Sequence, residues 1–270
     1  MLHSIIIPHR AREAHLKLCL RSIALSAQAT HETDYEVVVV DDAPPHVQVS
    51  EPNTRVVGLP LRHPFNKPRA LNVGIETSSG RYITFLDADA IVGPMFLRAW
   101  QRLERTPALT KLCYRVVKID EQEVVALGDA TDPAPLFALF EGYADRKWAK
   151  EAHGLPHSFS SKSKREPLFG HSQFCISRER LGDLRFHEKY AGRGWEDIQF
   201  NFALWKHYGP DYLAAIETSG LYSMFHIDHP IKNNYDWGSN TWNRVNRNRY
   251  MRELGQFRRE RKIQQRTEQS

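Results

Sequence analysis

The sequence predicts an α/β fold in which a mostly parallel sheet is flanked by helices. Short apolar runs alternate with helical patterns over residues 1–105, as they do in strand–helix–strand units. The runs are continuously apolar, which is typical of strands that are buried on both faces of a parallel sheet. We expect residues 1–239 to form this domain and residues 240–270 to add a basic helical extension at its C-terminus.

Each element of this fold is predicted by its own apolar pattern. Compact apolar runs predict four strands, which are Ser4–Pro8, Tyr35–Val40, Arg55–Leu59 and Arg81–Leu86. Helical spacing of apolar residues predicts the helices between and after them, which are Ala11–Ala27, Lys67–Thr77 and Met95–Arg105. Further along we expect a hairpin or paired edge strands at Lys111–Ile119 and Glu123–Leu127, a helix at Pro135–Ala152, a strand at Leu168–Ser177 and a return into the sheet at Leu213–Ile227.

The composition is that of a globular protein outside the membrane. Hydrophobic residues make up 41% and charged residues 26% of the chain, and no apolar stretch approaches the roughly 20 residues that span a bilayer. The first strand begins within the first few residues, so we expect no signal peptide and a cytosolic location. The cysteines lie far apart and are expected to be buried free thiols; they are Cys19, Cys113 and Cys175.

The net charge of +5 is concentrated in the C-terminal extension. Residues 240–270 hold nine Lys or Arg and three Glu, whereas residues 1–239 hold 28 basic and 29 acidic side chains. A near-neutral body does not predict a nucleic-acid partner. The basic segment predicts a helix at Asn240–Arg266, which packs on the domain, contacts anionic lipid head groups at the membrane periphery, or binds an anionic partner. Its apolar stripe comprises Trp242, Val245, Tyr250, Leu254 and Phe257.

Two carboxylates follow the predicted strand at Arg81–Leu86. Asp87 and Asp89 are separated only by a small alanine, and burying both is costly unless a cation compensates. Carboxylate oxygens suit Mg²⁺ or Mn²⁺. His226 ends a strand-like run and is the candidate further ligand, and an imidazole favours Mn²⁺ over Mg²⁺. The alternatives are that the aspartates cap the next helix and that the histidine is structural.

Other polar residues follow the strands that we expect to lie beside the predicted strand at Arg81–Leu86. Ligands of parallel sheets bind beyond the carboxyl ends of the strands, so these residues should share one edge. Arg10 and Arg12 can neutralise phosphate there. Asp41 can accept hydrogen bonds from a nucleobase or ribose, or, together with Asp42, cap the following turn.

A Gly-rich turn at Gly192–Asp197 leads into a later helix. Glu196 and Asp197 in its first turn can remove a proton from an acceptor hydroxyl, or simply complement the helix dipole.

Residues 153–167 are rich in Ser, Lys, Gly and Pro. They predict either a solvated loop or a lid that closes on an anionic ligand.

The order of these motifs resembles the GT-A glycosyltransferases, where family 2 and the β-1,4-galactosyltransferase family 7 meet. Six segments carry the resemblance to family 7, and the family's own motif is given in parentheses after each. They are Ile5–Leu16 (family motif I-P-F-R-N-R-x-E-H-L), Arg69–Gly74 (L-L-N-V-G), Phe85–Asp89 (D-x-D), Phe169–Gly170 (F-G-G), Gly194–Asp197 (G-G-E-D-D) and Met224–His226 (the segment with the metal histidine). Val37–Asp42 instead looks like family 2, in which the first Asp of the D-D pair contacts uracil. The resemblance covers residues 3–230.

The resemblance implies a GT-A fold and metal-dependent, inverting transfer of a hexose or N-acetylhexosamine from a UDP-sugar to a glycan or lipid-linked glycan. It implies metal ligation by Asp89 and His226, with Asp87 near the metal or the ribose, and Asp197 as the base. The residues implied at the donor are Pro8, Arg10, Arg12, Asp41, Arg69, Asn72, Asp87 and Gly170. The residues implied at the acceptor are Glu196, Arg193 and Trp195.

The departures from the family pattern lie around the two sugars. In this chain, His171 replaces the second Gly of the family's F-G-G motif, and Trp195 replaces a Gly before the acidic pair. Ile198 replaces the third acidic residue, and Arg193 stands where the family has a Trp that stacks on the acceptor. An arginine at position 193 suggests an acidic acceptor sugar or a phosphate-bearing lipid.

One rival class of function is a nucleotidyltransferase, which needs a Gly-rich loop where this chain has Pro8–Arg12. Another is a non-catalytic nucleotide-sugar or glycan-binding protein, which would not need Asp197.

Overall fold

The computed structural model describes most of the chain. The described residues are 2–120, 172–192, 194–209, 216–228 and 240–268, with the single positions Gln122, Pro135, Phe137, Ala138, Phe140 and Tyr212. The predictions at Glu123–Leu127, at residues 153–167 and at most of Pro135–Ala152 lie outside them. So do Gly170, Arg193 and the proposed domain boundary after residue 239, which stays a prediction.

The elements follow the predicted order closely. The strands are β1 (His3–His9), β2 (Tyr35–Asp41), β3 (Thr54–Gly58), β4 (Tyr82–Phe85), β5 (Ala90–Val92), β6 (Lys111–Asp120), β7 (Phe174–Ser177) and β8 (Ile216–Asp228). The helices are α1 (Glu13–Thr30), α2 (Lys67–Thr77), α3 (Ala99–Arg105), α4 (Arg178–Leu181), α5 (Glu196–Tyr208) and α6 (Asn240–Glu268), and a 3₁₀ turn at Phe96–Arg98 precedes α3.

Eight strands of the described residues form one sheet in the order β3-β2-β1-β4-β7-β6-β8-β5. Four of its seven pairings are parallel: β1 with β2, β1 with β4, β2 with β3, and β6 with β8. The predicted α/β fold with a mostly parallel sheet is confirmed. The antiparallel pairings involve β7, which lies between β4 and β6, and β5, which pairs with β8.

The core lies on both faces of the sheet. Every residue of β1 is buried, and because side chains alternate along a strand, Ile5 and Ile7 face one side and Ile6 the other. The Ile5 side packs under α1, and the Ile6 side packs under α2, α5 and α6. The three cysteines are buried free thiols, as predicted.

The C-terminal helix α6 packs on the domain through one face. Tyr250 and Leu254 are fully buried against the aromatic side chains of α5, and Phe257 contacts the Phe202 and Trp205 rings. The last turns of α6, residues 258–267, are exposed. Within the described segments, no helix combines the length and apolar character that a membrane crossing requires.

Candidate active site

The carboxyl ends of β2, β1 and β4 lie side by side at one edge of the sheet. This adjacency follows from the parallel register, which places His9 opposite Asp41. The polar residues after these strands therefore meet, as the sequence predicted. His9 Nδ1 donates to Asp41 Oδ1 over 3.2 Å, because His9 Nε2 already accepts from the Arg12 backbone amide.

Asp89 and His226 are brought together by the antiparallel pairing of β5 with β8. Ala90 stands opposite His226 in this register, and the Ile227 amide donates to the Asp89 carbonyl over 2.9 Å. His226 Nε2 lies 3.4 Å from Asp89 Oδ1, and Arg12 forms an ion pair with the other carboxylate oxygen. Two residues that are far apart in sequence thus form one polar group at the edge of the sheet.

The Asp89–His226 pair fits a divalent ion by its donor atoms and spacing. Neighbouring ligands of an octahedral ion, each at about 2.1 Å, are about 3 Å apart, close to the 3.4 Å found here. Among the described residues, no group of three or more His, Cys, Asp or Glu side chains is arranged to hold an ion. Within the part of the chain that the structure describes, Asp89 and His226 are a pair of candidate ligands.

Asp87 is held by a lysine that the sequence analysis did not select. Lys67 Nζ lies 2.5 Å from Asp87 Oδ1 and 3.8 Å from Glu196 Oε1. Ser172 and Gln173 donate to Asp87 Oδ2 over 3.2 and 3.0 Å. Lys67 is the first residue of α2 and is buried, although a cation opposes the helix dipole at that end and lysine is seldom buried. A lysine at the start of a predicted helix was therefore the feature of the sequence that could have pointed to Lys67.

Glu196 and Asp197 begin α5 and face this network. Glu196 is buried, and its desolvation raises its pKa to about 7, helped by the Asp197 charge and opposed by Lys67. Desolvation also raises the pKa of Asp197 against the Lys67 charge. For Lys67, desolvation acts to lower the pKa, but the charges of Asp87, Glu196 and Asp197 outweigh it and raise the pKa. One cation therefore serves three carboxylates.

Arg10 and Asp41 have structural partners in addition to the roles predicted for them. Arg10 is buried and donates Nε and Nη2 to the two oxygens of Asp42 over 2.7 and 2.6 Å. Asp41 is buried and accepts from the amides of Ala43 and Val47. Desolvation acts to raise the pKa of Asp41, but the hydrogen bonds from His9 and the backbone outweigh it and lower the pKa. Contact of either residue with a nucleotide stays a prediction.

The other predicted donor residues have partners of their own within the fold. Asn72 is buried and exchanges hydrogen bonds with the Phe186 backbone, and Arg69 donates to the Pro60 carbonyl over 3.4 Å. Pro8 lies inside β1, paired with β2. These contacts give the three residues structural roles. Their contact with the donor stays a prediction, as do the roles of Gly170 and Arg193, which lie outside the described residues.

Trp195 lies directly before the acidic pair in a left-handed conformation, with φ of 74°. Its indole Nε1 donates to Asn243 Oδ1 of α6 over 3.1 Å, and its ring contacts Tyr250. Trp195 is half-buried, and it directly precedes Glu196 and Asp197 in the chain. The sequence predicted the acidic pair and its turn, but gave no sign of the contact with α6.

Three comparisons place the chain among known proteins. The model of glycosyl transferase family 2 matches residues 4–161, more than half of the chain. A search of curated proteins found no match. Among solved structures, S. aureus TarS 1–349 superposes with a TM-score of 0.54 at 17% identity, covering 84% of this chain and 60% of TarS.

Two further solved structures complete the comparison. TarS 1–349 in complex with UDP-GlcNAc has a TM-score of 0.53 at 18% identity, covering 85% of this chain and 59% of TarS. Glucosyl-3-phosphoglycerate synthase from Mycobacterium tuberculosis has a TM-score of 0.49 at 20% identity, covering 86% of this chain and 74% of that one.

The TarS matches show a shared fold, and this chain spans about three fifths of the length of those two TarS chains. The predicted GT-A fold and the resemblance to family 2 are confirmed, while the features shared with family 7 stay predictions. With the family model covering more than half of its length, the chain belongs to glycosyltransferase family 2.

Proposed function

We propose that this glycosyltransferase is metal-dependent and inverting, and that it moves a hexose or N-acetylhexosamine from a UDP-sugar to a glycan or lipid-linked glycan. The observation that carries the proposal is the position of Lys67 between Asp87 on the donor side and Glu196 on the acceptor side. The likeness of the fold to TarS, which was solved with UDP-GlcNAc and with UDP, supports the choice of a UDP-sugar.

The donor diphosphate would lie at the carboxyl ends of β1 and β4. Asp89 and His226, with Asp87 beside them, would hold Mn²⁺, with Mg²⁺ as the alternative. A bound divalent ion supplies positive charge that stabilises a diphosphate leaving group. Arg12, which pairs with Asp89, adds a cation that can move to a phosphate oxygen when the ion is bound.

The acceptor would approach from the side of Glu196 and Asp197. Asp197 removes the proton of the acceptor hydroxyl while that oxygen forms a bond to the anomeric carbon. The bond from this carbon to the phosphate oxygen breaks, and its electron pair leaves with UDP. The raised pKa of the acidic pair suits a general base that works near neutral pH.

Residues of the turn before α5 would contact the acceptor sugar. The exposed part of the Trp195 indole offers an apolar surface beside Glu196, whose carboxylate can accept a hydrogen bond from a sugar hydroxyl. Arg193 next to them would favour an acidic acceptor sugar or a phosphate-bearing lipid. We expect Arg193→Ala to weaken acceptor affinity, and unchanged affinity would contradict this assignment.

The exposed end of α6 would contact anionic lipid head groups. Residues 258–268 hold five basic and two acidic side chains, and Ile263 among them is 64% exposed. Such a segment is attracted to an acidic bilayer surface. We expect sedimentation with phosphatidylglycerol-containing vesicles, but not with pure phosphatidylcholine. Replacing Arg258, Arg259, Arg261 and Lys262 with Gln should abolish it, and unchanged sedimentation would contradict the contact.

The proposed base is tested by replacing Asp197 with Asn, which keeps the shape of the side chain. We expect sugar transfer to fall by about a thousandfold or more while UDP binds as before, because only the proton acceptor is lost. Asp183→Asn is the matched control, since Asp183 is exposed. A variant at Asp197 that transfers sugar at the wild-type rate would rule out this base.

A further inference from the structure

We propose that Asn246 on the C-terminal helix α6 is a positioning residue that holds the turn carrying Glu196 and Asp197. The inference rests on the proposed function, in which this acidic pair activates the acceptor. It makes the first part of α6 a component of the active site, a role that the sequence analysis did not give to the basic extension at residues 240–270.

The side chain of Asn246 is fully buried and reaches two carbonyls of the turn. Its Nδ2 donates to the Ala191 carbonyl over 2.9 Å and to the Gly194 carbonyl over 3.0 Å. One amide group thus uses both of its hydrogens on the backbone just before α5. Because the Asn246 side chain is buried, these two hydrogen bonds satisfy an amide group that would otherwise lack partners.

The turn fits against α6 too closely to allow side chains on its glycines. Gly192 and Gly194 have φ of 78° and 79°, a region that L-residues with side chains avoid. A Cβ at Gly192 would lie 2.9 Å from the Trp242 side chain, and one at Gly194 would lie 2.9 Å from Asn243 Nδ2. The helix and the turn therefore approach closely at Gly192 and at Gly194.

The opposite side of the turn is tied to the donor half of the site. The Gly192 amide donates to the Phe65 carbonyl over 2.7 Å, two residues before Lys67. The turn is therefore held between α6 and the segment that leads into α2. Because displacement of a reacting group by about 1 Å can lower a rate about a hundredfold, loosening one of these two attachments should affect catalysis.

The test replaces Asn246 with Asp, which removes both donors and leaves the shape nearly unchanged. Asn248→Asp is the matched control, because Asn248 is exposed on the same helix. We expect Asn246→Asp to lower kcat about tenfold or more, while the KM for the UDP-sugar and the affinity for UDP with Mn²⁺ change less than about twofold. Asn246→Ala, which adds no charge, should show the same pattern.

Hydrogen exchange provides a readout that does not depend on activity. We expect faster exchange of the backbone amides of residues 190–198 in Asn246→Asp, and wild-type exchange in the sheet and in Asn248→Asp. If the wild-type protein transfers no sugar, the proposed function fails, but faster exchange confined to this turn still supports Asn246 as its anchor. Unchanged exchange there, or an equal loss of UDP affinity and kcat, would overturn the inference.

Discussion

Lys67 Nζ lies 2.5 Å from Asp87 Oδ1 and 3.8 Å from Glu196 Oε1, so one buried cation joins the two halves of the candidate active site. Asp87 follows β4 at the proposed donor edge of the sheet, and Glu196 begins α5 on the proposed acceptor side. Glu196 is buried and Asp87 is half-buried, so both carboxylates are stabilised by a nearby cation. The lysine therefore holds together the residues proposed for the donor and acceptor sites.

Replacing Lys67 with Met should lower kcat about a hundredfold and destabilise the protein by about 3–5 kcal/mol, because buried carboxylates would lose their partner. Lys67→Arg keeps the charge and should retain more activity. Steady-state kinetics and thermal unfolding measure both effects, with the exposed Lys206→Met as the control. Wild-type kcat in Lys67→Met would show that the lysine only fills space.

Replacing Asp89 with Asn or His226 with Ala should weaken Mn²⁺ binding in the presence of UDP about tenfold or more, since each change removes one of two protein ligands. Titration calorimetry measures this affinity directly. The control is His207→Ala, because His207 is exposed on α5. Equal Mn²⁺ affinity in all three variants would place the ion elsewhere.

Replacing Arg10 with Met should cost about 3–5 kcal/mol of unfolding free energy, because it leaves the Asp42 carboxylate buried without its partner. The double variant Arg10→Met with Asp42→Leu should recover much of this loss. Arg81→Met breaks an exposed pair with Glu104 and should cost about 1 kcal/mol or less. Denaturant unfolding measures the free energy of unfolding of all three variants. A small effect in Arg10→Met would mean that the Arg10–Asp42 pair adds little stability.

Glu196 makes stability depend on pH in a defined direction. Its pKa is raised from the ordinary 4.5 to about 7, so the folded state binds the proton more tightly than the unfolded state. Protonation of Glu196 therefore stabilises the folded state. This contribution to the free energy of unfolding is fully present below about pH 4.5 and is lost as the pH rises through 7. Glu196→Gln should therefore raise the melting temperature relative to wild type more at pH 8 than at pH 5. The same difference at both values would contradict the raised pKa.

The sheet and its polar edge could be predicted because they depend on local patterns. Continuous apolar runs gave β1, β2 and β4, and the parallel arrangement placed the residues after them at one edge. The structure also brings Asp89 and His226 together, while their role as metal ligands stays a prediction. These predictions needed only the order of the strands and the identity of the residues that follow them.

The remaining features depend on tertiary contacts, of which the local sequence pattern gives little sign. The pairing of Lys67 with Asp87 and Glu196 joins three distant segments, and a lysine at a helix start usually lies in solvent. Arg10 was predicted at a phosphate from its place after the first strand and from the family resemblance, and the sequence contained no sign of its buried ion pair with Asp42, which follows β2. The contact of Asn246 with the turn before α5 likewise depends on where the C-terminal helix packs.

The central claim is that a divalent ion at Asp89 and His226 supports release of UDP from a UDP-sugar. The most direct test measures UDP release from a panel of UDP-, GDP- and CMP-sugars, with added Mn²⁺ or with a chelator. We predict turnover of a UDP-sugar that requires the ion and is lost in Asp89→Asn. Equal turnover with the chelator, or a metal-independent preference for a CMP-sugar, would contradict the account.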